Sequence, residues 1–263
     1  MNNRPSVLIT GASSGIGAIY AERFAARGHD LVLVARDKAR LETLAARLRE
    51  TNGISVDVLQ ADLTDATDLA AVEARLSDDA RIGILINNAG IGQSGSFIDQ
   101  AAGAIDRLIA LNILALTRLS NAIAPRLVKT GEGAIVNIGS VVGLAPEFGM
   151  SIYGATKAFV LFLSQGLHLE LSPKGVYVQA VLPAATRTEI WARSGNDLNS
   201  LPAMMEVDEL VDAALIGFDR RELVTMPALQ AAERWDAYDS LRKGLLAEIR
   251  QDRVAARYHN VNE

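Results

Sequence analysis

Apolar runs rich in β-branched residues recur along the chain, with amphipathic stretches between them. The runs are SVLIT (6–10), LVLVA (31–35), ISVDVL (54–59), IGILIN (82–87), AIVNI (134–138), VYVQAVL (176–182) and a short ELVT (222–225). Most are nearly continuous rather than alternating, which is the pattern of strands buried on both faces of a parallel sheet. The intervening stretches are rich in Ala, Leu, Arg and Glu. ARDKARLETLAARLRE is the clearest, with Leu41, Leu44, Ala45 and Leu48 on one stripe and Asp37 placed as an N-cap. Such alternation predicts right-handed βαβ units and an α/β fold, a doubly wound, mostly parallel seven-stranded sheet with helices on both faces. No repeat, low-complexity tract or Pro/Gly-rich linker interrupts it. One domain over 1–263 is expected, with a C-terminal helix and tail from about 228.

Composition narrows the partners. The 263 residues are 49% hydrophobic and 22% charged, enough for a large core, with a formal net charge of -5. No basic block or stripe of Lys and Arg with interleaved aromatics is present, so nucleic acid is not an expected partner. Cysteine is absent, which excludes disulfides and thiolate metal sites. His29, His168 and His259 are scattered without ligand spacing, so no metal is expected. The N-terminus lacks the apolar stretch of a signal peptide, and no apolar run approaches the ~20 residues that span a bilayer. A soluble cytoplasmic protein is the expectation.

The first strand runs through a glycine turn into a helix, VLITGASSGIGAIYAERFA. Gly11, Gly15 and Gly17 stand as G-x-x-x-G-x-G. A glycine turn at the mouth of a strand admits a pyrophosphate close to backbone, and the helix N-terminus beyond it offers free N–H groups and a positive dipole. Glycines alone also make ordinary tight turns. Between an apolar strand and an amphipathic helix they predict a dinucleotide-binding, Rossmann-type fold. At the end of the second strand an NAD site usually carries an acid that bonds the ribose 2′-hydroxyl. Here Arg36 stands instead. A guanidinium suits the 2′-phosphate of NADP(H), with Ser13 and Lys38 as candidate helpers, although a solvated loop arginine would look the same.

Tyr153 and Lys157 lie four apart in SIYGATKAFV, so a helix puts phenol and ammonium on one face. A nearby cation favours the phenolate and is expected to lower the tyrosine pKa from its ordinary value near ~10. Ser140 ends a buried strand at its C-terminal edge, where doubly wound sheets place ligands. Asn112 sits in an apolar helical stretch, LNILALTRL, where a buried amide needs partners. Each has a bland alternative: a strand cap, a kinked helix, two surface residues.

Taken in order, these motifs make the chain resemble a short-chain dehydrogenase/reductase over nearly its full length. Thr10 and Gly11 through Gly17, including Ser13, Ser14 and Ile16, match TGxxxGxG. Asp62 and Leu63 match the pair that contacts adenine, and Asn87, Asn88, Ala89 and Gly90 match NNAG. Asn112, Ser140, Tyr153 and Lys157 match the catalytic set, with 13 positions between Ser140 and Tyr153. The chain is similar to the shorter branch of roughly 250 residues. The resemblance implies an NADP(H)-dependent oxidoreductase that interconverts a carbonyl and a secondary alcohol. Tyr153 would be proton donor or acceptor, Ser140 would hold the carbonyl oxygen, Lys157 would bond the nicotinamide ribose, and Asn112 would anchor a water that links Lys157 to solvent. Thr188 matches the threonine beside the nicotinamide carboxamide, and Pro183 and Thr186 fall in the same segment. One departure stands out: Pro183-Ala184 replaces the family's Pro-Gly. Glycine takes positive φ readily and alanine does not, so a different local path is expected there.

The segment from about 184 to 206 corresponds to the family's substrate cover. Trp191, Leu198, Leu201, Met204 and Met205 make it apolar, and Phe148 and Met150 precede the catalytic helix. A hydrophobic carbonyl substrate is one reading; side chains that seal the cover against the core are the other. Trp235 and Tyr238 are read as packing residues. The resemblance also implies a homodimer or homotetramer paired through the helices that carry Asn112 and Tyr153. A non-catalytic NADP-binding sensor or scaffold on the same fold is the competing function, and an isomerase that uses the cofactor transiently is a third.

Overall fold

The structure, a computed structural model, describes residues 4–93, 95–188 and 204–259. The chain divides into two units, Met1–Pro227 and Ala228–Glu263. The first holds a seven-stranded sheet in the order β3-β2-β1-β4-β5-β6-β7. Its strands are β1 (Ser6–Thr10), β2 (Leu31–Ala35), β3 (Val56–Gln60), β4 (Ile82–Asn87), β5 (Ala134–Ile138), β6 (Tyr177–Val181) and β7 (Val224–Thr225), and every pairing is parallel. The order turns back at β1 and β4, which opens a crevice at the carboxyl ends of these strands.

Helices α1 (Gly15–Ala26), α2 (Lys38–Asn52), α3 (Ala66–Asp78), α4 (Ala102–Ile109), α5 (Leu116–Thr130), α6 (Ser151–Leu171) and α7 (Val207–Asp219) complete the described part of this unit. Their limits follow local chemistry. The Asp37 carboxylate accepts from Arg40 N–H and that of Asp65 from Thr67 and Asp68 N–H, so each caps a helix start. Gly53 ends α2 in the left-handed region, at φ 65°.

Alternate residues of β1 feed opposite sides of the sheet. Val7 and Ile9 join Tyr20 and Phe24, while Leu8 joins Leu119 and Ile123. Leu41, Leu44, Ala45 and Leu48 are all buried, as their stripe predicts. Each fully buried side chain of this size contributes roughly 1.5–3 kcal/mol. Two bidentate ion pairs clamp α7 onto α1: Arg23 with Asp212 at 2.6 and 3.2 Å, and Arg27 with Asp219 at 2.8 and 2.9 Å.

Some boundaries differ from the sequence pattern. β7 is two residues rather than four, because Glu222 N–H still bonds Gly217 O and Arg221 takes φ 61° as the chain leaves α7. Between α4 and α5 a π-helical turn, Ala110–Ala115, keeps the helix continuous, so residues 102–130 are long and apolar enough to cross a membrane by length and composition. The sequence reading placed a helix around Asn112 but expected no apolar stretch of this length. Its Leu119, Ile123 and Leu127 enter the core. In the second unit, α8 (Ala232–Ile249) stacks the Trp235 and Tyr238 rings 5.4 Å apart.

Candidate active site

At the end of β1 the chain turns through Gly11, whose φ is 66°. A Cβ there would lie 2.8 Å from Asn88 Nδ2 and 2.9 Å from Ala89 Cα, and one on Gly17 would lie 2.5 Å from Asn88 Nδ2. These positions need glycine because the segment after β4 is stitched onto the turn. Asn88 Nδ2 donates to Thr10 O (2.9 Å) and Gly11 O (3.2 Å), and the N–H groups of Asn88 and Ala89 both donate to Thr10 Oγ1 at 3.0 Å. Ser14 precedes the first turn of α1 with extended backbone, which leaves that turn's N–H groups facing the crevice. Thr188 reaches across, its Cγ2 3.5 Å from where a Gly15 Cβ would be. This bare, donor-rich cradle fits a dinucleotide pyrophosphate.

The far end of the cradle carries mixed charge. Arg36 lies 3.8 Å from the Asp62 carboxylate and Arg107 of α4 lies 3.7 Å from it. Burial opposes ionisation of Asp62, but two hydrogen bonds from Thr64 and the two arginines outweigh it and hold its pKa below the usual carboxylate value. Arg36 is half-exposed beside that carboxylate. Lys38 is exposed, while the Leu63 side chain belongs to the core.

On the other side, α6 begins at Ser151, so Tyr153 lies in its first turn and Lys157 one turn on. The ammonium lies 5.7 Å from the Tyr153 ring centroid. Lys157 is buried, and its Nζ donates to Ile138 O at 2.9 Å. Burial lowers its pKa from 10.5 to about 8. Burial also pushes the Tyr153 phenol up to about 12, against a hydrogen bond with the Ser140 side chain that pulls it down. The sequence reading had the cation depress the phenol. In the folded chain desolvation dominates and Tyr153 is a neutral phenol, poised to donate. Ser140 caps a short turn, accepting from Val142 N–H at 3.2 Å and donating to Pro183 O at 3.3 Å, which fixes its hydroxyl beside Tyr153.

Asn112 lies in the π-helical turn and is buried. Its Oδ1 accepts from Ile91 N–H (3.0 Å), and its Nδ2 donates to Ile91 O (2.9 Å) and Thr156 Oγ1 (3.2 Å). It thereby ties the segment after β4 to α6. Gly90 stands between Asn112 Oδ1 and Lys157 Nζ, 3.3 and 3.7 Å from where its Cβ would be. Ala184 is not among the residues with positive φ, so the backbone there does not require the family's glycine. Thr186 Oγ1 donates to Ala184 O at 2.9 Å, and Thr186 bridges to Met205, so the chain on either side of residues 189–203 meets. Trp191, Leu198 and Leu201 lie outside the described residues.

A small cavity adjoins Tyr153, lined by Gln93, Phe97, Gln100, Met150 and Ile152 among others. Phe148 is not in this wall and is exposed. Sequence reasoning missed several groups. A buried chain of hydrogen bonds crosses the sheet: Asn87 Nδ2 donates to Ser120 Oγ and Asn137 Oδ1, and Asn137 Nδ2 donates to Ser164 Oγ, each at 2.9 Å. It links α5 to α6 behind the site. The signal for it was an asparagine inside the apolar run AIVNI.

A switch-point crevice, a phosphate cradle and a neutral tyrosine beside a buried lysine define an oxidoreductase of the dinucleotide-binding α/β class. The chain belongs to the short-chain dehydrogenase family, whose model matches residues 5–199. The human very-long-chain 3-oxoacyl-CoA reductase is 37% identical over 194 residues, 70% of this chain and 60% of the relative. The chain thus spans about 60% of the length of such curated relatives. The sulfoacetaldehyde reductase of Chromohalobacter salexigens is 36% identical over 231 residues, 84% of this chain and 88% of that protein. Among solved structures, a short-chain dehydrogenase from Sphingobium yanoikuyae in complex with NADPH is 74% identical, with a TM-score of 0.96 over 97% of this chain and 100% of the other. A bulky-bulky ketone specific alcohol dehydrogenase from Comamonas testosteroni is 64% identical, with a TM-score of 0.92 over 98% and 100%.

Proposed function

We propose that this chain is an NADP(H)-dependent oxidoreductase that interconverts a hydrophobic ketone and its secondary alcohol. What supports the reading is Tyr153 beside Ser140 and one helical turn before buried Lys157, on a chain that also carries the glycine cradle at the end of β1. The cradle holds the pyrophosphate, Arg36 meets the 2′-phosphate, and Lys157 bonds the ribose. Bound NADPH supplies the hydride. Ser140 orients the carbonyl oxygen, and Tyr153 gives its proton to that oxygen as charge develops there. Asn112 holds the backbone around Lys157 and anchors the water that returns a proton from solvent. The NADPH-bound and ketone-specific neighbours support this choice of cofactor and substrate class.

The test is loss of NADPH absorbance across a ketone panel that includes bulky diaryl ketones. Turnover with NADPH and little with NADH is expected. Tight NADPH binding with no oxidation across the panel would identify a sensor instead.

We also propose a homodimer or homotetramer paired through the helices that carry Asn112 and Tyr153. Phe162 and Leu169 of α6 are 77% and 76% exposed, Phe159 of the same helix is exposed too, and so are Ile109 and Leu114 on the helical stretch that carries Asn112. Large apolar side chains exposed together on a helix favour association. Light scattering tests it, and a monomer at working concentration would overturn it.

A further inference from the structure

A buried threonine joins Asn112 to the catalytic helix. Thr156 stands on α6 between Tyr153 and Lys157 and is 1% exposed. Its hydroxyl donates to Tyr153 O at 2.8 Å. A threonine that bonds the carbonyl three or four residues back is common in helices. The second contact is not local. Thr156 Oγ1 accepts from Asn112 Nδ2 at 3.2 Å, across 44 positions of chain. The direction of both bonds is fixed. Tyr153 O can only accept, so the one hydroxyl hydrogen goes there and the amide must be the donor to Oγ1.

The amide is fixed in the same way. Ile91 N–H can only donate and Ile91 O can only accept, so Asn112 turns Oδ1 to the first, at 3.0 Å, and Nδ2 to the second, at 2.9 Å. With Thr156 as the other acceptor, both Nδ2 hydrogens are used. What is left is acceptor capacity on Oδ1. That oxygen lies 3.3 Å from the point a Gly90 Cβ would occupy, and Lys157 Nζ lies 3.7 Å from the same point. Nζ gives one hydrogen to Ile138 O and has two more. Acceptor and ammonium thus flank one spot that glycine leaves bare. Because Thr156 and Lys157 are neighbours on one helix, the Asn112–Thr156 bond sets how Oδ1 stands to Nζ.

We propose that Thr156 is a positioning residue for proton return: its hydroxyl holds the Asn112 amide so that Oδ1 faces the spot beside Lys157 Nζ through which Tyr153 is reprotonated. This rests on the carbonyl-reductase reading of the site. In each reduction the carbonyl carbon gains the hydride, its oxygen takes the Tyr153 proton, and the phenol is left as phenolate. One proton from solvent restores it before the next turnover. Without the Thr156 hydroxyl, one buried Nδ2 hydrogen loses its acceptor and the amide is no longer held against α6.

The test compares Thr156→Val, which keeps the shape and removes the hydroxyl, with Thr156→Ser, which keeps the hydroxyl. With a ketone that wild type turns over, the valine variant should lose about 10–100-fold in kcat, as expected for a misplaced proton-transfer group. NADPH binding, read by fluorescence without ketone, should stay near wild type, and serine should recover most of the lost turnover. The solvent deuterium isotope effect on kcat should be larger in the valine variant than in wild type, since proton return then limits turnover. In an Asn112→Leu background the valine substitution should cost nothing more, because a residue that acts through Asn112 has nothing left to act on. Wild-type kcat in Thr156→Val, an unchanged isotope effect, or a loss that multiplies with that of Asn112→Leu would overturn the proposal while leaving the reductase reading intact. Normal turnover by Asn112→Leu alone also overturns it. Should the valine variant fail to bind NADPH, Thr156→Ala, which adds no bulk, gives a second reading; loss of binding there too assigns the residue to folding and overturns the proposal. No turnover of any ketone by wild type removes the reductase reading itself, and this proposal with it.

Discussion

Replacing Lys157 with methionine separates what the lysine does for stability from what it does for chemistry. The two side chains are unbranched and of similar length, so packing is largely kept. Lys157 is buried, and its pKa falls from 10.5 to about 8 on folding. A fall of that size corresponds to about 3 kcal/mol. Below about pH 8 folded and unfolded chains both carry the cation, and the folded state bears the whole penalty. Between about 8 and 10.5 the folded lysine is neutral while the unfolded one is still charged, so wild-type stability rises with pH. Above that range the penalty is gone. Methionine has no charge to bury and shows no such rise.

Methionine also removes the donor to Ile138 O, now 2.9 Å from Nζ, and an unpaired buried carbonyl costs about 1–3 kcal/mol at any pH. At neutral pH the two effects nearly cancel, or the variant is slightly the more stable. Near pH 10.5 only the loss remains, so the variant is weaker by about 1–3 kcal/mol. The difference in unfolding free energy between the two proteins should therefore swing by about 3 kcal/mol over this window. Urea melts of both proteins at closely spaced pH values measure it, and any group titrating alike in the two proteins drops out of the comparison. Reductase activity should be lost at every pH. A stability difference independent of pH would refute the buried, depressed lysine on which the site's electrostatics rest.

Other perturbations test separate parts of the site. Tyr153→Phe should lower kcat by about 10²–10⁴ while NADPH binding, read by fluorescence, stays near wild type; normal turnover would remove Tyr153 as proton donor. Gly17→Ala places a methyl 2.5 Å from Asn88 Nδ2 and should weaken nucleotide binding and cost about 1–3 kcal/mol in a thermal or urea melt. Arg36→Leu should raise KM for NADPH by about 10–100-fold with little change for NADH, as expected for one charge-assisted contact; a parallel change with both nucleotides would argue against a 2′-phosphate clamp. Asn137→Ala strands polar groups of both Asn87 and Ser164, and urea melts should show a loss of about 2–4 kcal/mol.

The parts of this protein that a single sequence reveals are those whose requirements are local. Gly11 is legible because its turn takes φ 66°, which favours glycine, and the stripe from Leu41 to Leu48 because one helix repeats every 3.6 residues. Tyr153 and Lys157 are legible as a pair for the same reason. What their pairing does to the phenol was not, since that depends on how much of the fold closes over the helix. Burial raises Tyr153 to about 12, and no count of residues between tyrosine and lysine carries that information. Asn112 reads as an amide in need of partners, but its partners, Ile91 and Thr156, lie 21 and 44 positions away. The Asn87–Asn137–Ser164 chain and the Gln93–Gln100 pair are further cases, invisible until strands and loops meet. The asparagine chain spends its donors across the sheet, from Ser120 of α5 to Ser164 of α6, and so holds together two helices that no local pattern in the sequence links.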